Sequence, residues 1–109
     1  MGSKKQTKEH LHTLAEIDKL IHEPARLLIL SHLYVIEEAD FLYLEQQTGL
    51  TRGNLSTHLS KLEDGGLVEI EKGYVGKIPR TVVRMKQDGR AAFASYLRQM
   101  KNVIDKLSE

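Results

Sequence analysis

The stretch Leu50-Thr51-Arg52-Gly53-Asn54-Leu55-Ser56-Thr57-His58-Leu59-Ser60-Lys61-Leu62-Glu63-Asp64-Gly65-Gly66-Leu67-Val68 decides how this chain folds. At about 100° per residue, Leu55, Leu59 and Leu62 share a narrow arc, so Arg52 to Asp64 reads as a helix anchored by one apolar face. The opposite arc carries Gly53, Asn54, Thr57, Ser60 and Lys61, with Ser56 at its edge. A solvated face ordinarily favours Glu, Lys and Gln, because Ser, Thr and Asn are poorer helix formers. Something other than helix stability selects the short polar side chains here.

Upstream, Asp40 is placed to cap a short helix from Phe41 to Gln47, which Gly49 stops by tolerating a left-handed conformation. Only Gly49, Leu50 and the cap Thr51 separate the two helices, a connection short enough to hold them at a steep angle as a helix-turn-helix. Before them, Pro24 opens a helix to Ile36, with Ala25, Leu28, Ile29 and Leu33 expected inward. Earlier still, Leu11, Leu14, Ile17 and Ile21 recur on one face and predict a helix from Lys8 to Ile21.

Downstream, Gly65 and Gly66 end the helix, and Leu67 to Glu71 and Thr81 to Met85 read as two strands. Gly73, Gly76 and Pro79 lie between, which predicts a hairpin whose loop holds a basic stretch. From Gly89 onward, Phe93, Leu97, Met100, Ile104 and Leu107 follow a 4, 3, 4, 3 spacing, a heptad seam over two repeats, widened by Tyr96 and Val103. That stripe suits a second copy of the chain; the alternative is a helix docked on its own domain. The expectation is one domain over residues 8–107, with a flexible segment at 1–7 and terminal helices at 8–21 and 89–107.

Composition narrows the class. The 109 residues hold 40% apolar side chains but no Trp, two Phe and four Tyr, so aliphatic residues must build the core. There is no Cys, hence no disulfide framework and no thiolate metal site, which agrees with a reducing cytoplasm. No run approaches the roughly 20 apolar residues of a membrane span, and the N-terminus lacks the apolar core of a signal peptide. A soluble cytoplasmic protein without membrane contact is expected. The net charge of +1 averages unequal parts. Glu37, Glu38, Asp40, Glu45, Glu63, Asp64, Glu69 and Glu71 face only Arg52 and Lys61 up to position 71, whereas Lys72 to Gln87 holds Lys72, Lys77, Arg80, Arg84 and Lys86 and no acid.

The order of elements, the leucines and Asn-Leu-Ser step of the quoted stretch, its terminal glycines, Pro24-Ala25-Arg26-Leu27-Leu28-Ile29-Leu30 and Pro79-Arg80-Thr81 together resemble the winged-helix regulators related to the MarR and ArsR groups. The resemblance runs from about Glu23 to Tyr96. It implies a mainly α fold with a small β-hairpin wing, a winged helix-turn-helix with terminal dimerisation helices. It also implies a transcription regulator that binds double-stranded DNA as a homodimer. Phe41 to Gln47 becomes the supporting helix, Arg52 to Asp64 the major-groove helix and Lys72 to Arg80 the wing. Three positions depart from the pattern. Glu45 stands where many such motifs place a small residue and Thr48 where they place an apolar one, so looser helix packing is expected. Lys86 replaces the usual Thr that opens the last helix, which leaves Asp88 to cap it.

The chemistry agrees with that resemblance. Asn54 and Arg52 are the candidates for base contacts, since Asn pairs bidentately with adenine and Arg with guanine. Ser56, Thr57 and Ser60 can meet a base or a phosphate. Lys61, Lys72, Lys77 and Arg84 are placed for phosphate, and Arg80, near the expected wing tip, for the minor groove. The dimer is assigned to Leu11, Leu14, Ile17, Ile21, Phe93, Leu97, Met100, Ile104 and Leu107. No metal or cofactor is expected: His10 and His12 point to different faces of their helix, and His22, His32 and His58 lie on separate elements without ligand spacing. His58 flanks the recognition face, where its protonation would strengthen phosphate binding at mildly acidic pH. No nucleophile with a positioned base is recognisable, and Gly65-Gly66 lacks the Lys and Ser/Thr of a phosphate-cradling loop. A small-molecule effector is left open, with no polar cluster to mark its pocket. The alternative reading is a winged helix that binds protein partners, motivated by the acidic stretch from Glu37 to Glu71.

Overall fold

The computed structural model describes residues 18–109. The predicted stripe residues Leu11, Leu14 and Ile17 lie outside them. Residues 18–23 form turns where the sequence predicts the end of a helix. The Asp18 side chain accepts the Leu20 amide at 2.8 Å, and Ile21 is fully buried.

Helix α1 spans Pro24–Ile36, with the bounds the sequence suggests. Pro24 occupies its first turn, where a missing amide costs nothing, and the Glu23 carboxylate accepts the Arg26 amide at 2.8 Å. Ile29, Leu30 and Leu33 enter the core. Leu28, expected inward, is 40% exposed, because the helix is rolled so that Leu30 takes the buried position. The helix leaves through Glu37, whose φ of 70° is costly without glycine. That sharp exit brings the Glu37 carbonyl to the Met85 amide at 2.9 Å.

A strand follows that the sequence does not predict, β1 at Glu38–Asp40, then helix α2 at Phe41–Thr48 and helix α3 at Arg52–Asp64. Strands β2 (Val68–Val75) and β3 (Ile78–Met85) complete an antiparallel sheet ordered β1-β3-β2. The hairpin is longer than expected. Its ladder runs through Gly73↔Arg80 and Tyr74↔Pro79 to Val75↔Ile78, so only Gly76 and Lys77 form the turn. Gly76 has φ 63° and Lys77 does not share it, the pattern of a type II′ hairpin turn, in which glycine is favoured at the first central position. Pro79 is tolerated in the ladder because β1 pairs only with Val82 to Arg84 and no partner strand needs its missing amide.

Helix α4 spans Gln87–Leu107. It starts two residues before the expected Gly89, with Lys86 as the cap residue and no side-chain cap bond. Asp88 lies inside the first turn, where its charge complements the helix dipole. The backbone fixes this start: the Lys86 amide donates to the Leu67 carbonyl at 3.0 Å. The helix then passes so close to Leu67 that a Cβ at position 89 would overlap that carbonyl, which is why Gly89 stands there. Phe93 and Tyr96 are buried against α1, with Phe93 edge-on to Tyr34 at 5.2 Å. Burial pushes the Tyr96 phenol pKa up, and its hydroxyl lies 2.7 Å from His22 Nδ1. The core consists of Ile29, Leu30, Leu33, Leu44, Leu55, Leu59, Leu62, Val68, Val83 and their neighbours. Three helices, a three-stranded sheet and a closing helix form the winged helix-turn-helix that the sequence predicts. No helix among the described residues is long and apolar enough to cross a membrane.

Candidate nucleic-acid interface

The turn before α3 is built from side chains that satisfy the backbone. Thr48 Oγ1 donates to the Leu44 carbonyl at 2.6 Å and accepts the Leu50 amide at 3.3 Å, so a hydroxyl fits where an apolar residue is usual. Gly49 ends α2 in the left-handed conformation, and Thr51 Oγ1 caps α3 by accepting the Asn54 amide at 3.2 Å. With Leu55, Leu59 and Leu62 buried and His58 half-buried beside them, the remaining side chains of the helix are turned outward. Arg52, Gly53, Asn54, Ser56, Thr57, Ser60 and Lys61 are all exposed. Thr57 Oγ1 donates to the Gly53 carbonyl at 3.0 Å, which leaves its lone pairs and methyl group facing solvent.

Strand alternation divides the hairpin into two faces. Val83 and Met85 are buried, so Ile70, Lys72, Tyr74, Pro79 and Thr81 share the face toward α3. Between them and α3 lies a groove of about 760 Å³, lined by Phe41, Arg52, Ser56, Ser60, Lys72 and Thr81 among others. Its wall mixes the cations Arg52, Lys72 and Arg80 with the carboxylates of Asp40 and Glu63, with hydroxyls and with apolar side chains.

The opposite face differs from expectation. Arg84, assigned to phosphate, points away from α3 and is enclosed by carboxylates: Glu38 at 2.9 Å, Glu71 at 3.4 Å and Glu69 at 3.7 Å. Hydrogen bonds to Glu38 and then Glu71 hold its guanidinium still more firmly protonated. On this exposed outer face its charge is already paired with carboxylates, which speaks against the phosphate role expected of it. Arg80, expected near the wing tip, sits opposite Gly73, short of the turn, with its Nε 3.1 Å from Asp40. That pair also corrects the reading of Asp40, which occupies the cap position of α2 but makes no cap bond. Arg52 Nε lies 3.8 Å from Glu45 Oε2, a buried oxygen with no hydrogen-bond partner, and its guanidinium is 6.0 Å from the Phe41 ring centroid. Among the described residues, Lys61, Lys72 and Lys77 have no ion-pair partner.

His58 does not flank the outward face. It turns back to α1, 3.3 Å from Arg26 Nη1 and 3.7 Å from Glu23 Oε2, and braces the rear of α3. Burial pushes the Glu23 carboxyl up, but the Arg26 and Ala25 amides, with the charges of His58 and Arg26, outweigh it and hold its pKa below the ordinary value. His22, though exposed, reaches the Tyr96 hydroxyl through its Nδ1.

The heptad stripe divides. Phe93 belongs to the chain's own core, as does Ile21 of the first predicted stripe, which corrects their assignment to a dimer contact, and Met100 packs partly against that core. Leu97, Ile104 and Leu107 remain exposed along α4. A further feature went unseen in the sequence: Tyr74, Val75 and Ile78 at the wing tip are 74%, 56% and 70% exposed. Apolar residues on both sides of Gly76 were the available signal, hidden by reading Gly73 to Pro79 as a loop.

Comparison with known proteins agrees with this geometry. A family model described as a winged helix DNA-binding domain matches residues 25–104. An uncharacterized protein of Methanocaldococcus jannaschii is 38% identical over 79 residues, which are 72% of this chain and 86% of that protein. Among solved structures, a transcriptional regulator homologue protein from Pyrococcus horikoshii is 30% identical, with a TM-score of 0.79 and the whole of both chains covered. A MarR family transcriptional regulator from Silicibacter pomeroyi shares the fold at 21% identity and a TM-score of 0.63, over 96% of this chain and 68% of that one.

Proposed function

Because the chain belongs to the winged helix DNA-binding domain family, we propose that this DNA-binding regulator reads a specific double-stranded sequence as a homodimer and thereby controls transcription in the cytoplasm. The observation that carries the reading is the outward face of α3, where Arg52, Asn54, Ser56, Thr57 and Ser60 stand clear of the buried leucines beside a groove ending in Lys72. Short polar side chains there reach base edges in the major groove. Lys61, Lys72 and Lys77 neutralise phosphate and fix the register without carrying sequence information. Arg52, exposed and with its Nε beside Glu45, supplies a guanidinium for guanine or phosphate.

The dimer contact proposed is the exposed stripe Leu97, Ile104 and Leu107, flanked by Met100. Apolar side chains lined up along a helix favour burial against a partner. Two-fold symmetry then requires a pseudo-palindromic operator with half-sites about one helical turn, roughly 10 bp, or a multiple apart. No catalytic step belongs to this proposal.

Selection of bound fragments from genomic DNA by the purified protein, followed by footprinting, tests it. The expected result is two equivalent protected patches on an inverted repeat. A protein that binds no duplex, or binds all duplexes alike while retaining a protein partner insensitive to nuclease, would replace DNA reading by partner binding.

A further inference from the structure

The wing tip has the wrong chemistry for a purely electrostatic contact. Arg80, the arginine expected near the tip, pairs with Asp40, and Arg84, farther down the hairpin, pairs with three carboxylates at the sheet's outer face. The end of the hairpin is instead apolar on both faces. Cross-strand partners share a face, so Val75 with Ile78 forms one apolar pair and Tyr74 with Pro79 the other. Tyr74, Val75 and Ile78 are among the most exposed large apolar side chains of the described residues. They fill no groove and touch no core, and wet apolar surface is costly.

Resting on the DNA-binding reading above, we infer that the wing tip is an apolar wedge that enters the minor groove, parts one base step with Val75 and Ile78, and bends the duplex. Charge complementarity selects this occupant. No acid occurs from Lys72 to Gln87, and Lys72 and Lys77, without an ion-pair partner among the described residues, bracket the tip, so the apolar pairs are presented inside a cationic frame suited to a polyanion. The acidic residues Glu69 and Glu71 sit back toward the sheet, about 13 Å or more from Val75 at the rise of an extended strand. Side chains of this kind inserted from the minor groove unstack bases and kink DNA by roughly 20° to 90°. Each protomer of a symmetric dimer would place one kink outside its major-groove helix. Flexible pyrimidine–purine steps at that position cost least to open, so the wedge adds sequence preference at base pairs that α3 does not touch.

The test uses the full chain on a selected duplex labelled at both ends, with bending read by energy transfer and affinity by titration over a range of salt. The wild type should shorten the end-to-end distance. Val75→Ser with Ile78→Ser, both exposed and thus compatible with folding, should abolish the bend and weaken binding about tenfold while leaving the salt slope unchanged. Lys77→Ala should do the reverse, keeping the bend and making the slope shallower. A wild type that binds without bending, or a serine variant that bends as the wild type does, overturns the wedge and leaves DNA binding intact. A serine variant that changes oligomeric state without DNA makes the tip a protein contact and overturns the wedge too. Failure of the wild type to bind any duplex overturns both readings.

Discussion

Replacing Lys72 and Lys77 with Ala should change the salt dependence of DNA binding, whereas replacing Arg84 with Ala should not, although all three are bases of the same hairpin. The structure makes the difference. Lys72 and Lys77 are exposed and have no ion-pair partner among the described residues, while Arg84 lies within 2.9 to 3.7 Å of three carboxylates. A phosphate approaching Arg84 would have to displace acids that already compensate its charge, and would then face them. Each phosphate neutralised by a free cation contributes about 0.9 to the slope of log affinity against log salt. In the proposed dimer, two lysines in each of two protomers account for about 3.6 of the slope. Between 50 and 200 mM salt that part alone corresponds to a loss of about 150-fold in affinity, which the double lysine variant would not show. Arg84→Ala should keep the wild-type slope and lower affinity only modestly, because Glu38, Glu69 and Glu71 are left uncompensated. Anisotropy titrations of a labelled random duplex at several salt concentrations measure all three proteins. A shallower slope for Arg84→Ala together with an unchanged slope for the lysine variant would refute the assignment of charge to the two faces.

Asn54→Ala should weaken the selected operator by about 1 to 3 kcal/mol and leave a random duplex nearly unaffected, as competition binding would show. Leu97→Glu with Ile104→Glu, at exposed positions of α4, should yield a folded monomer by light scattering; an unchanged dimer would place the contact elsewhere. Glu23 has a lowered pKa, so its contribution to stability is present above the ordinary carboxylate range and is lost as pH falls through its depressed value. Thermal melting of Glu23→Gln should accordingly fall less steeply with acidification than that of the wild type. Gly89→Ala should cost about 2 to 4 kcal/mol in chemical denaturation, since the new methyl group and the Leu67 carbonyl cannot occupy the same space.

The helical frame was legible because it rests on local rules. Pro24 and the Leu55, Leu59, Leu62 spacing fix where α1 and α3 run, and a period of 3.6 residues specifies the buried face of α3 without knowing what covers it. The same rules exposed Asn54, Ser56, Thr57 and Ser60 as the odd residues of a solvated helix. Strand β1 was not legible: Glu38-Ala39-Asp40 has one apolar residue and no period, and it exists because Glu37 turns the chain alongside β3, more than forty residues later. The heptad seam of α4 misled for a related reason, since an apolar stripe says that a face is buried but not whether the cover is the protomer's own core, as for Phe93, or something outside it. Charge was least readable of all. Composition shows five bases and no acid from Lys72 to Gln87, but Coulomb energy depends on distance, and only the fold brings Asp40 to Arg80 and encloses Arg84 with Glu38, Glu69 and Glu71.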